Sequence, residues 1–99
     1  MRAYAVFLSE GDVYEDRPLH KVIMEKALEI GLSGITVIKG YAGYGKHKGT
    51  AEVDPFHGYG DKPVVVVVIE NEEKGNEFVK LVKSLKSDAL IVSWPVEVE

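Results

Sequence analysis

The sequence of 99 residues has no cysteine, only two arginines and no apolar run longer than six residues. Without cysteine there is no disulfide, no thiolate catalysis and no zinc site built on thiolates. A membrane-spanning helix needs about 20 apolar residues, so runs of this length exclude direct insertion into a bilayer. The sequence therefore predicts a soluble protein that relies on none of these features.

Positive charge is also scarce. The chain has 12 basic and 16 acidic residues, which gives a formal net charge of −4. Binding to the phosphates of nucleic acids or anionic lipids requires clustered lysine and arginine, so no nucleic-acid partner is expected. The first residues lack the apolar stretch and cleavage site of a secretory signal, which predicts a cytoplasmic location.

What the chain does contain is typical of one globular domain. Its composition is 45% apolar and 28% charged, a balance that excludes disorder as the main state. A chain of this length accommodates a single packed core and no second domain. We therefore expect one domain over residues 1–99.

Apolar patterns predict four strands and two helices. The predicted strands are residues 3–8, 35–39, 64–69 and 89–94. The first helix opens at Pro18, where Asp16 is the expected cap, and ends at Gly31. The second helix follows Asn71, its expected cap, and apolar residues recur in both helices at three- and four-residue steps.

The order of these elements predicts an α+β, ferredoxin-like βαββαβ fold. Right-handed crossovers place the first and third predicted strands at the centre of an antiparallel sheet, with both helices on one face. Residues 40–62 lose regular periodicity and hold six of the ten glycines. A long loop of this kind, over about residues 41–62, is commonly functional in a small domain.

Two of the predicted strands do not alternate between apolar and polar residues. Residues 64–68 are five successive valines, and residues 4–8 are also continuously apolar. A sheet covered by helices on one face should expose polar side chains on the other. Two or three valine or phenylalanine side chains buried there contribute roughly 1.5 to 3 kcal/mol each. We therefore expect a homo-oligomer in which copies of the chain cover this face; alternatively, residues 40–62 fold back over it.

The segment from Gly43 to Thr50 combines glycines with two lysines and no acidic residue. Glycines let backbone N–H groups approach an anion closely, and Lys46 and Lys48 add positive charge. The segment does not match the Walker or Rossmann phosphate-binding patterns. It predicts either a phosphate cradle or a plain surface loop.

Residues 34–40, GITVIKG, and residues 43–49, GYGKHKG, resemble the second strand and the base of the T-loop in PII-like signalling proteins. The similarity continues in residues 9–12, 17–19, 62–64 and 72–74, so that it covers nearly the whole chain. The chain thus resembles the short, uncharacterised branch of PII-like proteins found in bacteria and archaea.

The resemblance implies a non-enzymatic regulatory homotrimer whose sheets face inward. It also implies that an adenine nucleotide binds as an effector in clefts between subunits, with no other cofactor. Thr36 would lie beside the base, and the glycines and lysines of the loop would lie near the phosphates; Lys39 at the strand end could point to the same place. The expected nucleotide-binding residues are Thr36, Lys39, Gly43, Gly45, Lys46 and Lys48.

The resemblance further implies that the loop contacts a regulated protein, such as a membrane transporter, a channel or an enzyme. The expected contact residues are Tyr44, His47, Phe56 and Tyr59. His47 replaces the glutamine with which nitrogen-sensing PII proteins bind metal and 2-oxoglutarate, which argues against sensing of 2-oxoglutarate. Three of the residues 70–73 are acidic and late arginines are missing, so AMP or ADP is a better match than ATP.

Two other functions are compatible with the same fold. A CutA-like trimeric metal-binding protein is the first; His47 and His57, with Glu52 and Asp54 between them, offer metal-binding side chains but match no standard spacing. An acylphosphatase-like phosphohydrolase is the second. It would need an arginine in a glycine-rich loop after the first strand, where this chain is acidic, so no enzyme is expected.

Overall fold

A computed structural model describes residues 1–43 and 62–99. In chain order the elements are β1 (Arg2–Ser9), β2 (Val13–Tyr14), β3 (Arg17–Pro18), α1 (Leu19–Glu29), β4 (Thr36–Lys39), β5 (Pro63–Glu70), α2 (Glu72–Leu85) and β6 (Leu90–Pro95). The predicted loop between β4 and β5 lies mostly outside the described residues, since they leave out 44–61.

The main sheet has four strands in the order β4-β5-β1-β6, and every neighbouring pair is antiparallel. The two central strands, β1 and β5, are the first and third of the strands expected from the sequence. Both helices pack on one face of this sheet. The ferredoxin-like fold predicted from the order of elements is confirmed.

The core lies between the two helices and the alternate residues of the central strands. Val64, Val66 and Val68 of β5 are at most 1% exposed, and they face Phe78 and Val82 of α2. Side chains alternate between the faces of a strand, so the neighbouring valines point to the other face. Burial along β5 follows this alternation from Pro63 to Glu70.

The face of the sheet that carries no helix, which we call the open face, is almost entirely apolar. The register places one set of side chains from all four strands on it. These residues are Ala3, Ala5, Phe7, Ser9, Thr36, Ile38, Pro63, Val65, Val67, Ile69, Leu90, Val92 and Trp94. Trp94 and Ile69 are each 44% exposed, although both are large apolar side chains. Both faces of the sheet therefore carry apolar side chains, as the sequence predicts.

The prediction that Asp16 caps the first helix is wrong. The cap position of α1 is Pro18, and no side chain accepts a hydrogen bond from the first turn. Asp16 instead forms the turn of a short hairpin, because β2 pairs with β3 in a second sheet. Glu15 and Asp16 both have positive φ, at 49° and 66°, as a tight two-residue hairpin turn requires. Part of the expected acidic loop is thus a β-hairpin.

The other helix-terminal predictions are confirmed. The side chain of Asn71 accepts a hydrogen bond of 2.8 Å from the backbone N–H of Lys74, which caps α2. Gly31 follows the end of α1 with a φ of +85°, the left-handed conformation that favours glycine. Neither helix, nor any other in the described part of the chain, has the length and apolar composition needed to cross a bilayer.

Candidate functional site

The two ends of the predicted loop are fastened to each other at one end of the sheet. The backbone N–H of Gly40, just after β4, donates a hydrogen bond of 2.7 Å to the carbonyl of Pro63, which begins β5. The backbone N–H of Glu10, just after β1, donates one of 2.8 Å to the carbonyl of Lys62. We call this region, residues Glu10, Lys39, Gly40, Lys62 and Pro63, the loop root.

Glycine is required in the loop root because the chain passes close to Pro63. A Cβ added at Gly40 would meet the Cγ of Pro63 at 2.5 Å, which is closer than real side chains approach. At Gly43 the same Cγ would lie 3.3 Å away. Gly40, and less strictly Gly43, therefore has a packing reason that is independent of any ligand.

The side chain of Lys39 has an ionic partner at the loop root. Its side chain forms an ion pair with the carboxylate of Glu10, although 60% of the lysine side chain remains exposed. The hydrogen bond from Lys39 lowers the pKa of Glu10, and the positive charges of Lys39 and Lys62 lower that pKa further. The loop root thus holds two lysines and one carboxylate that stays ionised.

His20, in the first turn of α1, lies close enough to the loop root for the charges of Lys39 and Glu10 to change its pKa. Burial of the ring lowers the pKa of His20, and the positive charges of Lys21 and Lys39 lower it further, whereas Glu10 acts in the opposite direction. The Nδ1 atom is buried and has no hydrogen-bond partner among the described residues. A neutral imidazole is therefore favoured at this position.

The structure does not bring together the two predicted nucleotide-binding residues of β4. Thr36 pairs with Val67 and lies on the open face, while Lys39 pairs with Val64 and lies on the face of the helices. Three residues of strand also separate them by roughly 10 Å. A base beside Thr36 and a phosphate at Lys39 would have to extend around the outer edge of β4.

Most of the remaining predicted residues lie outside the described part of the chain. Gly43 is described and exposed, next to Pro63. The others are Gly45, Lys46 and Lys48 among the expected nucleotide-binding residues, and Tyr44, His47, Phe56 and Tyr59 among the expected partner contacts. Their roles stay predictions.

The open face has the shape of a shallow trough. Ala3 and Ala5, in the central strand β1, are small and 3% exposed. In the register, Ala3 lies between Ile69 and Trp94 on the neighbouring strands. The larger side chains of the neighbouring strands therefore project further from the sheet than these alanines do. Such a contiguous apolar surface is typical of a contact with another protein or another copy.

The β2–β3 hairpin and α1 enclose a shallow cleft of about 260 Å³. Arg17 there donates to both carboxylate oxygens of Glu25, and this pairing raises the pKa of Arg17 and lowers that of Glu25. An acylphosphatase-like reaction would need this arginine for a phosphate. In the structure it is already bound to a carboxylate.

The metal-binding alternative has no support among the residues that the structure covers. Groups of three or more histidine, cysteine, aspartate or glutamate side chains that could hold a metal ion are absent from residues 1–43 and 62–99. The expected candidates His47, Glu52, Asp54 and His57 lie outside them.

Sequence reasoning missed the pairing of Glu10 with Lys39 and the place of His20 beside them. The signal was available. The end of β1 and the end of β4 both lie next to the start of β5, at Pro63 and Val64. Opposite charges that follow these strand ends therefore meet at the same end of the sheet.

A protein-family model matches nearly the whole chain. The model of the DUF190 family, described as "Uncharacterized ACR, COG1993", matches residues 1–98. The chain belongs to this family. A UPF0166 protein of Aquifex aeolicus is 40% identical over 93 residues, which cover 94% of this chain and 88% of that protein. The UPF0166 protein MJ1524 of Methanocaldococcus jannaschii is 38% identical over 88 residues, 88% of this chain and 81% of that one.

Solved structures show that this DUF190 chain shares its fold with two proteins of other names. CutA1 of Pyrococcus horikoshii superposes with a TM-score of 0.68 at 15% identity, covering 100% of this chain and 86% of that one. A protein of Thermus thermophilus described as PII-like gives a TM-score of 0.56 at 12% identity, covering 94% of this chain and 81% of that one. These likenesses confirm the ferredoxin-like fold that the sequence predicts.

Proposed function

We propose that this protein is a non-enzymatic, cytoplasmic regulatory protein. It forms a homotrimer through the open face and binds an adenine nucleotide, AMP or ADP rather than ATP, in the clefts between copies. It transmits the bound state to a partner protein through the loop at about residues 41–62. Lys46 and Lys48 hold the phosphates in this proposal, and Thr36 lies beside the base.

The observation that carries the proposal is the apolar open face. Phe7, Ile69 and Trp94 are each more than 40% exposed in the single chain, and they belong to one contiguous apolar surface of the kind that marks a contact with another protein chain. A second copy presents the same apolar surface and supplies the missing cover. The clefts in which a nucleotide binds exist only after this assembly.

The loop root supports the second half of the proposal. Hydrogen bonds at Gly40 and Glu10 hold the two ends of the loop together, so the lysines at its start and end are kept on one side of the molecule. Lys39 and Lys62 add positive charge there. A phosphate group bound by the loop would therefore meet a positively charged base.

Calorimetry with AMP, ADP, ATP and cyclic AMP tests the nucleotide. We expect AMP or ADP to bind, and Lys46→Ala and Lys48→Ala each to weaken binding at least tenfold. Lys80→Ala, which removes an exposed lysine from α2, is the matched control and should bind as the unmodified chain does. Absence of heat with all four nucleotides would contradict the proposal.

Light scattering after size separation tests the assembly. Trp94→Glu places a charge on the open face and should convert the trimer to a monomer. Leu28→Glu introduces the same charge at an apolar residue that is 77% exposed on α1, and it should leave the trimer intact. An unmodified chain that is monomeric at micromolar concentration would refute the role of the open face.

The CutA-like alternative is distinguished in the same experiments. Calorimetry with zinc and copper, run in parallel with the nucleotides, should give no saturable binding if the nucleotide is the effector. Saturable metal binding that is lost in His47→Ala and His57→Ala, in a protein that binds none of the nucleotides, would favour the metal-binding function.

A further inference from the structure

The segment from Val96 to Glu99 has the sequence of a strand but no strand partner in the described chain. It reads V-E-V-E, a strict alternation of apolar and acidic residues that is typical of a strand with one apolar face. The backbone N–H of Val96 donates a hydrogen bond of 3.1 Å to the carbonyl of Met1, which continues the β1–β6 pairing by one step. Beyond that bond, Val98 is 65% exposed.

The register defines which way this segment would present its side chains. Pro95 pairs with Arg2, so Val96 lies opposite Met1 and shares the open face with Trp94. Continued alternation puts Val98 on the open face and Glu97 and Glu99 on the face of the helices. The segment is thus apolar on the open face and acidic on the other.

The outer edge of β4 carries the complementary pattern. β4 pairs only with β5 in the sheet, so its other edge has no strand partner among the described residues. Ile38 lies on the open face and is 51% exposed, while Lys39 lies on the face of the helices. Unpaired strand edges are templates for the addition of another strand.

The segment cannot reach β4 of its own chain. β6 and β4 are the two opposite edges of the sheet, three strand spacings or about 14 Å apart, and the outside of β4 is a further 5 Å away. Four extended residues span at most about 14 Å. Val96 is moreover level with Met1, just before β1, whereas Lys39 is level with Leu8 at the other end of that strand.

We infer that the segment from Val96 to Glu99 adds as an antiparallel strand to the outer edge of β4 in a second copy of this chain. Glu97 lies opposite Lys39 of that copy, and Val98 lies opposite Ile38. This register is the one that joins apolar to apolar on the open face and acid to base on the other. Glu97 then shares the exposed lysine with Glu10.

The contact is heterologous, because one copy gives the segment and the next gives β4. Such contacts close into rings when the rotation between copies allows it. A ring in which each β4 receives a segment leaves no β4 edge exposed. The inference concerns the strand edges and goes beyond the cover of the open face on which the proposed trimer rests.

Cross-linking gives a direct test, since the natural chain has no cysteine. The variant Ile38→Cys/Val98→Cys should form disulfide-linked multimers on mild oxidation, seen by electrophoresis without reductant. Ile38→Cys/Val13→Cys is the matched control, because Val13 is 64% exposed and lies in the β2–β3 hairpin, which is not one of the two paired strands of the inference. The control should remain uncrosslinked under the same conditions.

Charge reversal gives a second, independent readout. Glu97→Lys/Glu99→Lys should raise the dissociation constant of the assembly at least tenfold, and adding Lys39→Glu should recover part of that loss. Glu29→Lys/Glu73→Lys makes the same change in charge at two exposed helical positions and should leave the dissociation constant unchanged. Sedimentation equilibrium measures all three.

The outcomes separate this inference from the proposed function. Chains that assemble through the open face but form no more cross-link than the control would overturn the strand addition and leave the trimer standing. If the cysteine variant forms cross-links and the Trp94→Glu variant still assembles, the strand addition is supported and the role of the open face is overturned. A monomeric unmodified chain would overturn both.

Discussion

The ring of Tyr4 in β1 occupies the space that a side chain at position 75 would need. A Cβ added at Gly75 of α2 would overlap the ring and the hydroxyl of Tyr4. Tyr4 is 3% exposed and Gly75 is also buried, so neither residue has room to move away. The helix lies on the sheet at a distance set by the absence of a side chain at this one position.

Replacement of Gly75 by alanine should therefore destabilise the protein, although alanine is the better helix former. The gain in helix propensity is about 1 kcal/mol. The overlap with Tyr4 forces the helix or the ring to shift, which costs roughly 1 to 3 kcal/mol in a packed core. We expect a net decrease in the free energy of unfolding, measured by urea denaturation.

Gly34→Ala is the matched control for this prediction. A Cβ at Gly34 would have no neighbour within 4 Å, so its replacement should change the free energy of unfolding by less than about 0.5 kcal/mol. In the background Tyr4→Leu, which shortens the side chain, the loss caused by Gly75→Ala should shrink. Equal losses in both backgrounds would show that the two residues do not interact.

The turn of the β2–β3 hairpin is built from residues that fit it poorly. Glu15 and Asp16 both have positive φ, a conformation that costs non-glycine residues roughly 1 kcal/mol each. Asn-Gly is the preferred pair in such turns. Glu15→Asn/Asp16→Gly should therefore raise the free energy of unfolding by about 1 kcal/mol, as measured by thermal or urea denaturation.

Replacement of Gly31 by alanine tests the same effect of positive φ in the opposite direction. Its φ of +85° follows the end of α1, so Gly31→Ala introduces the strain that the hairpin variant removes. We expect a loss of about 1 kcal/mol. If the hairpin variant instead destabilised the protein, the positive φ values of Glu15 and Asp16 would not be a source of strain.

The two helices should respond differently to loss of their expected caps. Asn71→Ala removes the side chain that accepts the N–H of Lys74 and should cost about 1 kcal/mol of stability. Asp16→Ala removes no cap from α1 and acts only through the hairpin turn. Urea denaturation followed by circular dichroism should therefore show the loss of about 1 kcal/mol in Asn71→Ala, whereas any change in Asp16→Ala should depend on the residue at position 15, its neighbour in the hairpin turn.

The contrast between these two residues shows how far the sequence determines the fold. Asn71 directly precedes its helix, and local pattern alone identifies it. Asp16 stands two residues before Pro18, where capping and hairpin formation compete, and the pairing of Val13 with Pro18 decides between them. The pairing is local, but Glu15-Asp16 is not one of the residue pairs that mark a two-residue hairpin turn, so the sequence pattern does not reveal it.

The candidate site divides in the same way. The apolar open face follows from strand alternation, so five successive valines were enough to predict it. The relation between Thr36 and Lys39 also follows from alternation, because residues three apart in a strand lie on opposite faces. The pairing of Lys39 with Glu10 requires knowledge of which strand ends meet. The predicted order of the strands implies which ends meet, but the contact between the two side chains is seen only in the structure.

The titration of His20 should report the charges of the loop root. Burial, with Lys21 and Lys39, holds the pKa of the folded protein's His20 below its ordinary value, while the unfolded chain has the ordinary one. As pH falls, the unfolded chain therefore takes up this proton first. The contribution of His20 to stability is fully present above the ordinary pKa and is lost as pH falls towards the folded pKa.

Proton NMR of the imidazole resonances tests both the position and the sign of this shift, with His20→Gln used to assign the signal. Lys39→Gln removes a positive charge and should raise the pKa of His20 towards its ordinary value, whereas Glu10→Gln removes the opposing negative charge and should lower it. Lys80→Gln, on the exposed side of α2, should leave it unchanged. If the pKa of His20 is unchanged in both Lys39→Gln and Glu10→Gln, then burial alone lowers it.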